Sequence, residues 1–133
     1  MKVTILGSGA YGIALALMFN ENKCDITLWE KFEEHAKQLR ETRINDRVLP
    51  NVLIPKNIKI MSDLEESIKN SELIVIAIPA GFVDEVAAEL SKYIKKGQHI
   101  CIATKGIEQD TCLFIDDVVQ KYIKTKNIAA ISG

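Results

Sequence analysis

Cysteine is scarce in this chain: Cys24, Cys101 and Cys112 are the only three in 133 residues, and none forms a Cys-x-x-Cys pair. An odd number without paired spacing argues against a disulfide framework and suits a reducing compartment, with the cytoplasm as the default expectation. No charge sign is in excess, since 17 Lys and Arg face 18 Asp and Glu for a net charge of −1. With no basic block to track a phosphate backbone, nucleic acid is not an expected partner, whereas a small uncharged or anionic molecule remains open. No stretch approaches the roughly 18 to 20 consecutive apolar residues that cross a bilayer, so no integral membrane segment is expected. Both histidines, His35 and His99, lie away from every predicted strand end. They are read as surface residues, and no metal site is expected. Repeats, low-complexity tracts and internal linkers are also missing, which leaves residues 1–133 as one domain, with 47% apolar residues to build its core.

What is present begins with "VTILGSGAYGIALALMF", Val3 to Phe19. Lys2, the apolar run and Ala14-Leu15-Ala16 resemble an export signal. Gly7, Ser8, Gly9 and Gly12 break the continuous helix that a signal requires, at about 1 kcal/mol per glycine relative to alanine. After this segment, short β-branched runs alternate with helix-period segments, the pattern of parallel α/β structure. Strands are predicted at Lys2–Leu6, Asp25–Trp29, Ile58–Met61, Leu73–Ile78, Gln98–Ala103 and Asn127–Ile131. Helices are predicted at Ala10–Asn22, Phe32–Arg40, Asp63–Lys69, Val83–Ile94 and Cys112–Ile123, with Ser62 and Thr111 as N-caps. "LIVIAI" has no polar alternation and should be a central strand buried on both faces. The expected fold is a Rossmann-type, doubly wound α/β sheet, mainly parallel, of about six strands with helices on both faces.

Gly7-Ser8-Gly9-Ala10-Tyr11-Gly12 follows a strand and opens a helix, the context in which G-x-G-x-x-G binds dinucleotides. Gly7 permits the tight turn, Gly9 keeps a Cβ away from the pyrophosphate, and Gly12 lets the helix approach the sheet. Amides at the helix start then face the phosphates. Glu30 ends the second strand, where a carboxylate accepts hydrogen bonds from ribose hydroxyls and repels a 2′-phosphate. Lys31 beside it acts in the opposite sense, so NAD and NADP both stay open with NAD slightly favoured. The fourth strand runs into Pro79-Ala80-Gly81-Phe82 and the fifth into Thr104-Lys105-Gly106, both at the edge where such sheets bind ligands. Phe82 reads equally as a neighbour of the cofactor or as a core contact. Lys105 reads as a hydrogen-bond donor to phosphate, carbonyl or cofactor, or as a solvated lysine. Glu41 to Asn57, with two prolines and no clean period, reads as an irregular excursion, either functional or a surface flap.

"GSGAYG", "LWEK", "ETRINDRVLPNVLIP", "IAIPAGF", "ATKGIE" and "AAISG", in this order and spacing, resemble the amino-terminal half of bacterial NAD(P)-dependent glycerol-3-phosphate dehydrogenase across the whole chain. The most specific pieces are Arg43, Asn45, Leu49 and Pro50 of the R-x-N-x-x-x-L-P loop and Ala103 to Glu108. The resemblance implies a cofactor held by Gly7, Ser8, Gly9, Ala10, Tyr11 and Gly12, bordered by Lys31 and Phe82 and touched by Lys105, and Glu30 and Pro79 are expected beside them as cofactor-binding residues. It implies substrate contacts from Lys105 and Gly133, with Lys105 the one residue of catalytic type in this chain. The implied reaction is hydride transfer between a nicotinamide and dihydroxyacetone phosphate or sn-glycerol 3-phosphate, a phospholipid precursor. The proton-donating lysine and phosphate clamp of the family belong to a helical substrate domain expected after residue 133, so this stretch alone is expected to bind NAD(H) and turn over little substrate. A homodimer of the full-length protein is left open. Ala10, Val48 and Lys31 depart from the residues usual at their positions in the family. Two other readings share the glycine loop: a free-standing NAD(H)-sensing regulatory domain without catalysis, and another reductase of the 6-phosphogluconate dehydrogenase-like group. The R-x-N-x-x-x-L-P loop and the T-K-G turn argue against the first, and the T-K-G turn argues more weakly against the second.

Overall fold

A computed structural model describes residues 1–104, 115–123 and 127–130. Its elements run β1 (Lys2–Leu6), α1 (Ala10–Glu21), β2 (Asp25–Trp29), α2 (Glu33–Thr42), β3 (Lys59–Met61), α3 (Leu64–Ile68), β4 (Leu73–Ile76), α4 (Ala80–Leu90), β5 (His99–Ile102), α5 (Ile115–Tyr122) and β6 (Ile128–Ala130). Among the described residues the strands form one sheet in the order β3-β2-β1-β4-β5-β6. Every pairing is parallel. This is the doubly wound arrangement, and the strand order reverses direction between β1 and β4, where the carboxyl ends open a crevice.

The sheet separates two cores because successive side chains of a strand point to opposite faces. On one side Val3, Ile5, Ile26, Leu28, Ile60 and Val75 pack with Ile13 and Ala16 of α1 and Ala36 and Leu39 of α2. On the other, Leu6, Trp29, Ile74, Ile76, Ile100 and Ile102 pack with α3, α4 and α5 through Leu64, Ile68, Val83, Val86, Leu90, Val118 and Val119. Ile74, Val75 and Ile76 are buried on a strand paired on both edges, as the unbroken apolar run of β4 requires. Thr4 is a buried polar intruder in β1. Its hydroxyl donates to the Ser67 carbonyl at 2.5 Å and contacts the Ser71 hydroxyl, so the α3 end of the second core carries no unsatisfied group there.

Several boundaries differ from the sequence reading. The helix expected at Val83 starts at Ala80, because Pro79 stands at the cap with φ −57° and ψ 144° and needs no N–H partner. It stops at Leu90, and Lys92 N and Tyr93 N then close tight turns onto Glu89 O and Leu90 O. The helix predicted to end at Arg40 continues to Thr42 and is terminated by Arg43 in the left-handed region, φ 60°. The N-cap of α3 is Asp63 and not Ser62: Asp63 Oδ1 accepts from Glu66 N at 3.1 Å, whereas the Ser62 hydroxyl is committed to the Glu33 carboxylate. Thr111, predicted to cap the last helix, and Cys112, its predicted first residue, lie outside the described residues.

Candidate functional site

Between β1 and α1 the backbone turns on glycine. Gly7 has φ +128°, and a Cβ on it would lie 2.5 Å from the carbonyl oxygen of Ala77, just past β4. A Cβ on Gly12 would run into the carbonyl oxygen of Gly7, so the helix rests directly on the turn. Gly9 is different. It occupies the N-cap position with φ −75° and ψ −175°, a conformation open to any residue, and a Cβ there would meet nothing within 4 Å. The fold thus has no steric need for a bare backbone at Gly9, and the space in front of it is open. Gly7 N donates to Trp29 O at 2.9 Å, but no side chain caps the helix start and its first turn has no acidic residue, which leaves the amides at the start of α1 uncapped by side chains and the positive end of the helix dipole open to an anion.

That space is part of a cleft of about 750 Å³ at the carboxyl edge of the sheet, with Gly7 to Tyr11 on its floor. Pro79, Ala80 and Phe82 from α4, Glu30 to Phe32 from the end of β2, and Arg47 and Val48 from the long excursion complete its walls. Seven large hydrophobic residues are exposed among the described residues, and Tyr11, Phe32, Val48 and Phe82 are four of them. All four line this cleft. A concentration of exposed apolar surface around one concavity with a polar floor is the form of a small-molecule site.

Glu30 organises the polar floor and is only 8% exposed. Its Oε1 accepts from the Ser8 hydroxyl at 2.5 Å and lies 3.3 Å from His35 Nδ1, while its Oε2 accepts from Phe32 N at 2.8 Å. The carboxylate thereby ties the glycine turn to the end of β2 and the start of α2. His35, taken from the sequence as a surface residue remote from every strand end, is instead a half-buried lining residue of the cleft. Its place in the first turns of α2 brings it back over the end of β2, a proximity that helix geometry creates and linear distance conceals.

The excursion from Glu41 to Asn57 is clasped to the domain. The Arg43 guanidinium donates to Ile58 O at 2.6 Å and Pro55 O at 3.2 Å, and Ile54 N donates to Arg43 O at 2.7 Å, closing the loop on itself. Buried Asn45 donates from Nδ2 to the Ser8 carbonyl at 2.8 Å and accepts from Val48 N and Leu49 N on its own carbonyl. The segment is therefore not a loose flap: it holds the glycine turn from above while Glu30 holds it from below.

Of the residues singled out from the sequence, Gly7, Ser8, Gly9, Ala10, Tyr11, Glu30, Lys31, Pro79 and Phe82 all line the cleft, and Gly12 supports its floor from one layer behind. The hydroxyl and the carbonyl of Ser8 are both already engaged within the protein. Phe82 stands in the cleft wall, 38% exposed, while the core positions of α4 go to Val83 and Val86. Lys31 Nζ pairs with Glu85 Oε2 at 2.7 Å and lies 4.6 Å from the centre of the Phe82 ring. Lys105 and Gly133 lie outside the described residues. The strand that leads toward Lys105 is held by Thr104, whose hydroxyl donates to Ile78 O at 2.6 Å and whose N–H donates to Ile76 O. Sequence reasoning gave no site role to His35, Arg47, Thr104 or Glu85. Asn45, as a member of the R-x-N-x-x-x-L-P loop, and Thr104, as a member of the A-T-K-G turn, did carry a signal through their motifs. Among the described residues no group of three or more His, Cys, Asp or Glu is placed to hold a metal. Cys101, on β5, has its thiol pushed up by burial, which makes it a poor nucleophile at neutral pH.

Residues 2–133 match the family model for the N-terminus of NAD-dependent glycerol-3-phosphate dehydrogenase. The chain is 35% identical over 135 residues to glycerol-3-phosphate dehydrogenase [NAD(P)+] of Fusobacterium nucleatum, covering 100% of this chain and 40% of that protein. Against the protein of the same name from Agathobacter rectalis it is 34% identical over 132 residues, covering 99% of this chain and 39% of the relative. Its fold superposes on the crystal structure of glycerol-3-phosphate dehydrogenase from Coxiella burnetii with a TM-score of 0.89 at 28% identity, covering 99% of this chain and 40% of that one. The chain thus spans about two fifths of the length of the curated relatives it matches.

Proposed function

Since this chain belongs to the family of NAD-dependent glycerol-3-phosphate dehydrogenase N-termini, we propose that it supplies the dinucleotide-binding half of an enzyme that interconverts dihydroxyacetone phosphate and sn-glycerol 3-phosphate. The observation that carries the proposal is the bare backbone at Gly9, which the fold does not require and which faces the cleft beside uncapped amides. A pyrophosphate placed against those amides receives N–H donors and the positive end of the α1 dipole without displacing any protein atom. Glu30 and Asn45 hold the turn in that geometry before anything binds, so little ordering is required on association.

The nicotinamide cofactor supplies the hydride when bound. This chain's own residues bind and orient. Tyr11, Phe32, Val48 and Phe82 give apolar surfaces that shield the cleft from water, Glu30 faces the ribose region at the end of β2, and Thr104 fixes the approach of the segment that carries Lys105. In the proposed enzyme Lys105 meets both cofactor and the phosphorylated substrate, and Gly133 belongs to the substrate turn, as the resemblance implies. The family's phosphate clamp and proton donor lie in a following helical domain, so the 133 residues alone are expected to bind NADH without reducing substrate. A cytoplasmic setting is part of the same proposal, supported by the free thiols of Cys24 and Cys101.

Two measurements test it. NADH titrated into the 133-residue chain should give saturable binding, seen as enhanced nicotinamide fluorescence. The chain extended through a second domain should oxidise NADH with dihydroxyacetone phosphate, and Lys105→Ala should cut kcat/KM by at least about a hundredfold, the lower end of what one positioned hydrogen-bond donor to a reacting oxygen contributes. No NADH binding, or full turnover by the Lys105→Ala protein, would overturn the proposal.

A further inference from the structure

Two lining residues of the cleft, Lys31 and Phe82, meet a third residue, Glu85, that stands just outside its lining. Lys31 follows β2, directly after Glu30, and Glu85 and Phe82 both stand on α4. Lys31 Nζ is 2.7 Å from Glu85 Oε2, 4.6 Å from the Phe82 ring centre and 5.7 Å from that of Phe32. The lysine side chain is 28% exposed and that of Glu85 is 64% exposed. Lys31 is therefore not a free cation waiting for a phosphate: its charge is matched by a carboxylate, and its ammonium is held over aromatic faces.

Resting on the dinucleotide reading above, we propose that Glu85 is a specificity-determining residue that disfavours a 2′-phosphate on the adenosine ribose and so biases the site toward NAD over NADP. Two effects act in the same direction. A 2′-phosphate brought beside Lys31 must compete with the Glu85 carboxylate for the ammonium, and its own negative charge is repelled by that carboxylate and by Glu30. A ribose with two hydroxyls meets neither penalty. Lys31 in isolation would favour the phosphorylated cofactor, because an ammonium beside the ribose attracts it. The sign of the preference is thus decided by an α4 residue 54 positions away in sequence. Glu85 acts through Lys31 and on the incoming phosphate, and needs no contact with the nicotinamide end.

Dissociation constants of NADH and NADPH measured on the wild-type chain and on Glu85→Gln test this. The ratio Kd(NADPH)/Kd(NADH) should fall about two- to fivefold in Glu85→Gln at low ionic strength, the size set by an exposed ion pair. The change should shrink in about 0.5 M salt, where the screening length is a few ångströms. The double variant Lys31→Gln/Glu85→Gln should lose most of the gain, since the released cation is what receives the phosphate. A ratio unmoved by Glu85→Gln, with NADH still binding, overturns this inference and leaves the dinucleotide reading intact. Failure of both nucleotides to bind the wild-type chain overturns the dinucleotide reading, and this inference with it.

Discussion

Replacing Gly9 by alanine adds one methyl group to a backbone that can already hold it, and so separates folding from binding. The residue sits at φ −75° and ψ −175°, and the new Cβ would meet no protein atom within 4 Å. On the folding side, losing glycine at an N-cap position costs roughly 0.5–1 kcal/mol. Restricting the unfolded chain returns about 0.4–1 kcal/mol. The two nearly cancel, so Tm should move by no more than about 3 °C. On the binding side, the methyl enters the space in front of the uncapped amides, and forcing a group into filled space costs about 1–3 kcal/mol. That weakens NADH binding by about 5- to 150-fold. Gly12→Ala is the control of opposite character, since its methyl would strike the carbonyl oxygen of Gly7, a backbone atom with nowhere to move. It should lose about 1–3 kcal/mol of stability, or about 3 to 12 °C in Tm. Fluorescence titration with NADH and thermal denaturation of the three proteins read both axes. A Gly9→Ala protein that binds NADH within twofold of wild type would refute the reasoning, as would one that melts as early as Gly12→Ala.

Other consequences follow from the contacts around the turn and between α4 and α5. Asn45→Ala removes the donor to the Ser8 carbonyl at a buried site, and should cost about 1–3 kcal/mol, visible in urea denaturation together with weakened NADH binding. Asp84 is held below the ordinary aspartate range, first by the hydrogen bond from Lys121 and then by that from Tyr122. Its folded form favours the carboxylate, so the tie between α4 and α5 is fully present above about pH 4. It is lost as pH falls through the lowered folded value. Asp84→Asn should therefore show a smaller drop in Tm between pH 5 and pH 2.5 than wild type, and equal slopes would contradict this account.

The sheet was legible because its causes are local. An apolar run of four to six residues without polar alternation, such as that of β4, must be buried on both faces, and a helix-period segment after each strand leaves parallel pairing as the simple connection. The glycine turn was legible for the same reason, since the left-handed backbone at Gly7 and the close approach at Gly12 are steric demands of a few consecutive residues. Helix ends were less so. Ser62 and Asp63 offer equal capping chemistry in the sequence, and the choice between them was made by Glu33, which takes the Ser62 hydroxyl from the start of another helix.

By itself, then, the amino-acid order determined a parallel α/β layer, a phosphate-ready turn and an acidic residue at the end of β2. Only the tertiary structure decided how that turn is held and which charges meet beside the cleft. The deciding contacts join residues 22, 37 and 54 positions apart: Ser8 with Glu30, Ser8 with Asn45, and Lys31 with Glu85. Steric preference along a chain reaches only a few residues, whereas these meetings depend on strand order and on the register that brings several carboxyl ends to one edge. That is why Lys31 read alone looks like a phosphate cation, and beside Glu85 becomes a neutralised one.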